Sequence, residues 1–318
     1  MLLSGGGAWF FLMMPAIIAI LAALLLPVFA HLKRPLTGHQ VVIYTSQDQV
    51  YAEPILREFE RQTAIEVRAV YDSESVKTVG LVNRLIAEKD RPQCDLFWNN
   101  EELRTRQLAA IGVFEKWAAA GHRSRRIAVN TNKLALTAAP RSLIELTNAT
   151  WRGKVALAYP LFGTTATHFL ALRQRWGDTA WQNWCRALAA NKPFLVDGNS
   201  VAAKLVAKGE AFVGLTDSDD IAAEQREGAS IVPLPLTDES LLIPNTVAVV
   251  HGARHQQAAE KLYAYLQRSD VLEKLVAARA LEGDSPSIGL NSTLQPDWDR
   301  LVTDLEPGTT ELKQIFLR

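Results

Sequence analysis

Short apolar runs that end in polar loops and lead into amphipathic stretches recur along the sequence. Val41 to Tyr44 reads as a buried strand feeding the loop Thr45-Ser46-Gln47-Asp48, and Val50 to Gln62 then places Ile55, Leu56 and Phe59 on one helical side. A second strand, Ile65 to Tyr71, empties into Asp72-Ser73-Glu74-Ser75 before a helix over Val76 to Ala87. A third, Cys94 to Trp98, ends in Asn99-Asn100-Glu101-Glu102. Successive βα units of this kind predict an α/β fold with a parallel sheet and helices on both of its faces.

The pattern continues after Arg123-Ser124-Arg125-Arg126, where a change of domain is expected before a strand at Ile127 to Asn130. An Arg cluster of this kind is either a solvated patch or a source of one guanidinium facing an anion. A short helix at Ser142 to Leu146 and a strand at Val155 to Ala158 precede the loop Tyr159 to Thr165, whose Gly163-Thr164-Thr165 opens a helix running to Trp176. Those threonines either cap the helix or present hydroxyls and N–H groups to an anion. Ser200 N-caps a helix over Val201 to Lys208, Gly209 ends it, and Ala211 to Leu215 is a strand from which Thr216 to Asp220 emerge. In an open α/β sheet, loops at the carboxyl ends of strands border the ligand crevice, so Asn199 and Asp217 to Asp220 are candidates for one cleft. The plainer alternative is that Asp217 or Ser218 caps a helix over Ile221 to Glu227, with Asp219 and Asp220 in its first turn. Pro233 and Pro235 limit Ile231 to Leu236 to an edge strand or extended loop. Apolar Val247 to Val250, helices at His255 to Gln267 and Val271 to Ala280, and a poorly patterned tail from Leu281 complete the chain.

Composition narrows the function. The 318 residues carry 34 basic and 34 acidic side chains, which gives no electrostatic reason to expect nucleic acid. Two cysteines, Cys94 and Cys185, lack metal-site spacing and are expected as buried free thiols. His122, His168, His251 and His255 read as surface or satisfied core residues, and Trp176, Trp181 and Trp184 as a buried helical face. Ala8 to Ala30 contains no charge and, as a helix, spans about 34 Å, so it is expected to be a membrane anchor or long signal segment. Lys33 and Arg34 follow it and no basic residue precedes it, which by the positive-inside rule would keep the following domain in the cytoplasm.

Six segments in this order resemble the extracellular solute-binding proteins of ABC importers, and within them the ferric-iron-binding branch. They are Tyr44 to Asp48, Cys94 to Glu101, Trp151 to Thr165, Asp197 to Ala211, Gly214 to Asp220 and Ile243 to Val250. The resemblance implies a periplasmic-binding-protein type II-like fold, with two α/β lobes, two hinge strands and a ligand cleft between the lobes. It also implies an extracytoplasmic, monomeric protein, anchored to the inner membrane or secreted, that hands a small solute or metal ion to an ABC permease. The expected organisation is an anchor over residues 1–34, a first lobe over 35–126, a second over 127–243, and a return to the first over 244–318.

Carried over by position, the resemblance implies metal ligation by Asp48, Glu101, Asp219 and Asp220, with ferric iron or another metal as cargo and no catalytic cofactor. Tyr44, Gln47, Asp48, Ser73, Gly163, Thr164, Thr165, Asn199 and Asp217 are the expected ligand-binding residues, and the Gly-Thr-Thr turn with Asn199 matches the place of a synergistic phosphate or carbonate. Two departures stand out. Asp219 and Asp220 replace an adjacent tyrosine pair, which widens the cation choice beyond ferric iron, and the segment between Phe114 and Ile127 is short for the family. Two other readings compete: a membrane-tethered sensor without a transport role, and a phosphatase-like enzyme using Asp217-Ser218-Asp219 with Gly283-Asp284.

Overall fold

A computed structural model describes residues 40–72, 79–234, 236–283 and 293–317. The expected anchor, Ser73 and Asp284 lie outside the described residues. Among the described residues no helix is long and apolar enough to cross a membrane.

The strands of the first half form as the apolar runs predict: β1 (Gln40–Thr45) pairs in parallel with β2 (Glu66–Tyr71) and with β3 (Leu96–Asn99). Alternation along β1 sends Val41 and Ile43 to one face, against Phe59 and Leu96, and Tyr44 to the other, against Val82 and Phe97. Helices α1 (Gln49–Thr63), α2 (Val79–Ala87) and α3 (Glu102–Ala110) cover these faces.

The segment between Phe114 and Ile127, short for the family, is strand throughout. It is a single strand, β4 (Phe114–Asn130), which pairs antiparallel with β9 (Leu242–Val250) up to Ser124 and with β7 (Val213–Asp217) and β8 (Ile231–Leu234) beyond it. β4 and β9 therefore run from one lobe to the other; with β5 (Val155–Ala158) and β6 (Phe194–Val196), the strand order is β2-β1-β3-β9-β4-β7-β5-β6, with β8 alongside β4. The Arg cluster lies inside β4 and is not a solvated patch at a boundary: Arg123 and Arg125 are 4% and 0% exposed. A register shift between Ala119 and His122 bends β4, and Gly121 takes φ +77° there, a backbone conformation that suits glycine.

The second lobe follows with β5 (Val155–Ala158), α4 (Gly163–Trp176), α5 (Asp178–Ala190), β6 (Phe194–Val196), α6 (Asn199–Ala207) and α7 (Ser218–Arg226). Trp181 and Trp184 are buried, Trp176 stacks edge-on against Trp184, and both cysteines are buried free thiols, as expected. The stretch expected as a helix near Ser142 is a 3-10 turn over Ile144–Thr147. Helices α8 (Gln256–Leu266) and α9 (Ser269–Ala277) return to the first lobe, where they pack in the core of β1 and β9.

The tail contains a helix that its pattern hides: α10 (Trp298–Phe316), with Pro307 inside it. Tertiary burial overrides propensity here, because Leu301 and Leu305 pack with Leu103 of α3 and Leu170 of α4, while Leu312 and Phe316 enter the second core. Gly308 lets α10 approach closely; a Cβ at that position would lie 2.3 Å from Leu170 Cδ2.

A Cβ at Gly121 would meet Leu281 Cδ1 at 2.4 Å and the Gly283 carbonyl oxygen at 3.0 Å. Gly121→Ala is accordingly expected to lower stability by about 1–3 kcal/mol, read as a lower urea midpoint at unchanged slope.

Candidate functional site

The register of β4 against β7 sets Arg125 directly opposite Asp217. Arg125 Nη1 donates to Asp217 Oδ1 at 2.6 Å and to Asn199 Oδ1 at 3.0 Å. Its Nε donates to His168 Nδ1 at 3.4 Å, and Nη2 to the Leu215 carbonyl at 3.4 Å. Asp217 Oδ2 accepts the Thr164 hydroxyl at 2.8 Å, Asn199 Nδ2 donates to Thr164 Oγ1 at 2.8 Å, and the Thr165 hydroxyl donates to Asn199 Oδ1 at 3.0 Å. Thr164 and Thr165 do not cap α4, whose N-cap position is Phe162. Asp217 does hold the N-cap position of α7, with Asp219 and Asp220 in the first turn, but its side chain makes no capping bond, because its carboxylate is engaged by Arg125 and Thr164.

Arg123, two residues along the same strand, points the same way. It donates to Asp219 Oδ2 through Nη1, lies 3.3 Å from Asp217 Oδ2, and donates through Nη2 to the Asn100 carbonyl of the first lobe at 3.0 Å. Burial opposes its charge, yet Asp219, Asp217, Asp220 and Asp48 together hold its pKa above the ordinary arginine value. Burial also pushes Asp217 upward, and the two guanidiniums outweigh it, so its pKa is lowered.

A cavity of about 50 Å³ opens beside this network, lined by Asn100, Arg123, Ala158, Tyr159, Phe162, Gly163, Thr164, Thr165, Asp197, Gly198, Asn199, Ser200, Asp217 and Asp220. It has room for a small polyatomic ion rather than a single water. The first turns of α4 and α6 both face it, and first-turn N–H groups have no intrahelical acceptor. Gly163 takes φ +51° where α4 begins, a conformation that suits glycine. Arg123 Nε is buried and has no acceptor among the described residues.

The expected site residues divide. Gly163, Thr164, Thr165, Asn199 and Asp217 come together, and carboxylate oxygens of Asp217, Asp219 and Asp220 fall within 4.8 Å of one another. Glu101 does not join them: it caps α3 by accepting the Arg104 N–H at 3.0 Å, lies 3.5 Å from the Thr167 hydroxyl, and is fully buried, which raises its pKa. Tyr44 is turned to the opposite side, where its hydroxyl donates to Glu88 Oε2 at 3.0 Å beneath Arg84. Gln47 is buried with its backbone N–H on Thr45 Oγ1, and Asp48 precedes α1, its charge among those acting on Arg123. Arg123 and Arg125 are the central residues that the sequence pattern names only as alternatives to a solvated patch. A strand period of two, which sets both on one face, is the signal that picks them out.

Residues 40–278 match the family of bacterial extracellular solute-binding proteins. The protein belongs to that family. This solute-binding protein is 25% identical over 286 residues to an uncharacterised protein of Haemophilus influenzae, covering 80% of each chain. Its fold is similar to iron-bound HitA from Pseudomonas aeruginosa, with a TM-score of 0.76 and 17% identity over 87% of this chain and 99% of that one. It is also similar to AfuA from Actinobacillus pleuropneumoniae with fructose-6-phosphate bound, at a TM-score of 0.69 and 20% identity over 87% and 96% of the two chains.

His168 is the titrating group behind the site. Its Nε2 lies 2.7 Å from the Glu239 carbonyl, so that nitrogen carries the proton and Nδ1 accepts from Arg125. Burial, and then Arg125, push its pKa down to about 3. The unfolded chain binds a proton at this histidine below its ordinary value near 6.5, whereas the folded one stays neutral until about 3. Stability therefore rises with pH across that window and is fully present above it. The stability difference between wild type and His168→Gln is expected to grow from pH 4 to pH 6.5 and level off above pH 7 in urea titrations. Arg125→Met leaves Asp217 buried without its main counter-charge and is expected to cost about 3–5 kcal/mol in the same assay.

Proposed function

We propose that the protein captures a small solute carrying a phosphate group, as the free ion or as an ester, in the cleft between its lobes. The observation that carries this reading is Arg123, a buried guanidinium whose Nε has no acceptor among the described residues and which is one of the residues lining a cavity that two helix N-termini face. An oxyanion there accepts from the guanidinium and from the first turns of α4 and α6 together. Asp197 and Asp220 line the same cavity, so the solute must also bring O–H donors, as a protonated phosphate or a hydroxylated ester does. The fructose-6-phosphate on AfuA is consistent with this chemistry.

Arg123 touches groups of both lobes, Asn100 in the first and Asp219 in the second, so an anion drawn to it favours the closed form. The closed form is what an ABC permease would recognise outside the cytoplasm. A second reading, capture of a metal ion with an accompanying anion, is favoured by the three converging carboxylates and by the iron in HitA. It requires Asp217 and Asp219 to exchange their guanidinium partners for the metal. The phosphatase-like reading is disfavoured, since both oxygens of Asp217 are engaged and the residue is 1% exposed.

Melting the purified protein with excess chelator, with and without inorganic phosphate or a hexose phosphate, tests the proposal. Ligand at a hundred times its dissociation constant adds about 2.7 kcal/mol, which raises the melting temperature by roughly 5–10 °C. No rise with either phosphate, together with a rise on adding a ferric or manganese salt alone, would establish the second reading instead.

A further inference from the structure

Of the carboxylates expected to hold a metal ion, Asp219 and Asp220 converge, together with Asp217, and the cationic group beside them belongs to the protein. Asp219 and Asp217 contact the Arg123 guanidinium, and Asp220 and Asp48 act on it through space. Asp217, Asp219 and Asp220 offer oxygens close enough together to share one cation. The guanidinium also reaches across the cleft to the Asn100 carbonyl. Charge, position and lobe-bridging contact are thus those of a captured cation, supplied from strand β4.

We propose that Arg123 is a built-in cation that determines specificity: it fills the place a metal would take and makes oxyanion capture by this protein independent of metal. The inference rests on the oxyanion reading above. Three aspartates packed this closely repel one another unless a positive group lies among them. A tethered guanidinium does so without being drawn from solution and cannot leave by dissociation. It differs from a bare metal ion in directing N–H bonds to its partners, and its Nε has no acceptor among the described residues. Arg125 does not share this role. All three of its guanidinium nitrogens are engaged, and it does not line the cavity.

Removal of the side chain uncovers the alternative. Arg123→Ala leaves Asp217, Asp219 and Asp220 around an emptied volume, an all-oxygen anionic set of the kind that hard cations favour. Arg123→Lys keeps the charge without the planar fork.

Calorimetric titration of wild type, Arg123→Ala and Arg123→Lys with terbium(III), and separately with inorganic phosphate in chelator or in terbium, tests the inference. Wild type is expected to bind phosphate equally in chelator and to give no terbium heat. Arg123→Ala should bind terbium and lose at least tenfold in phosphate affinity in chelator, with terbium restoring it. Arg123→Lys should bind phosphate more weakly than wild type and remain indifferent to chelator. Wild-type phosphate binding that chelator abolishes overturns the inference while leaving the oxyanion reading intact, and a wild type that binds no phosphate in either condition overturns both. A folded Arg123→Ala that takes no terbium also overturns it. If that variant does not fold, loss of phosphate binding by Arg123→Lys in chelator does the same.

Discussion

The rest of the structure depends on the buried ion pair between Arg125 and Asp217. Neither group sees solvent, so each is tolerable only while the other is in place and their remaining hydrogen-bonding capacity is met. That requirement reaches into every element around the cleft. It calls in Thr164 from the start of α4, Asn199 from the start of α6, His168 from the body of α4 and the Leu215 carbonyl from β7. Because the network is closed, the two helix starts are held at fixed positions relative to the hinge strand, and the cavity between them has a defined shape.

The neighbouring arginine uses the same strand to different effect. β4 presents Arg123 and Arg125 to one side with their guanidiniums in successive positions, the first facing the cavity and the second behind it. Arg125 is saturated and structural, whereas Arg123 keeps one donor in reserve and bonds to both lobes. Since β4 passes between the lobes without a loop, the charged group at the centre of the cleft is also part of the hinge. β9 passes between the lobes beside β4, and α10 bridges α3 and α4 through Leu301 and Leu305.

Most strands and helices were legible because burial on both faces of a parallel sheet writes apolar runs between polar loops. Val41 to Tyr44, Cys94 to Trp98 and Ala211 to Leu215 all overlap strands with their carboxyl ends toward polar loops. The full length of β4 was not legible, because Ala118, Ala119, Ala120, Gly121 and the arginines show no apolar alternation; pairing with β9 on one side holds the strand together. Nor was α10, where Pro307 and Gly308 argue against a helix and only contact with Leu103 and Leu170 reveals the apolar stripe.

For the site, the order of motifs determined the family, the cleft and the meeting of the Gly-Thr-Thr turn with Asn199 and Asp217. Such features are local, since a loop at the end of a strand stays there whatever its neighbours do. What only the tertiary structure decided is the electrostatic state of the aspartates. Asp219 and Asp220 read as cation ligands until strand pairing sets Arg125 opposite Asp217 and Arg123 against Asp217 and Asp219. That pairing joins positions about ninety residues apart, and no pattern along the chain records which charges will be neutralised across it.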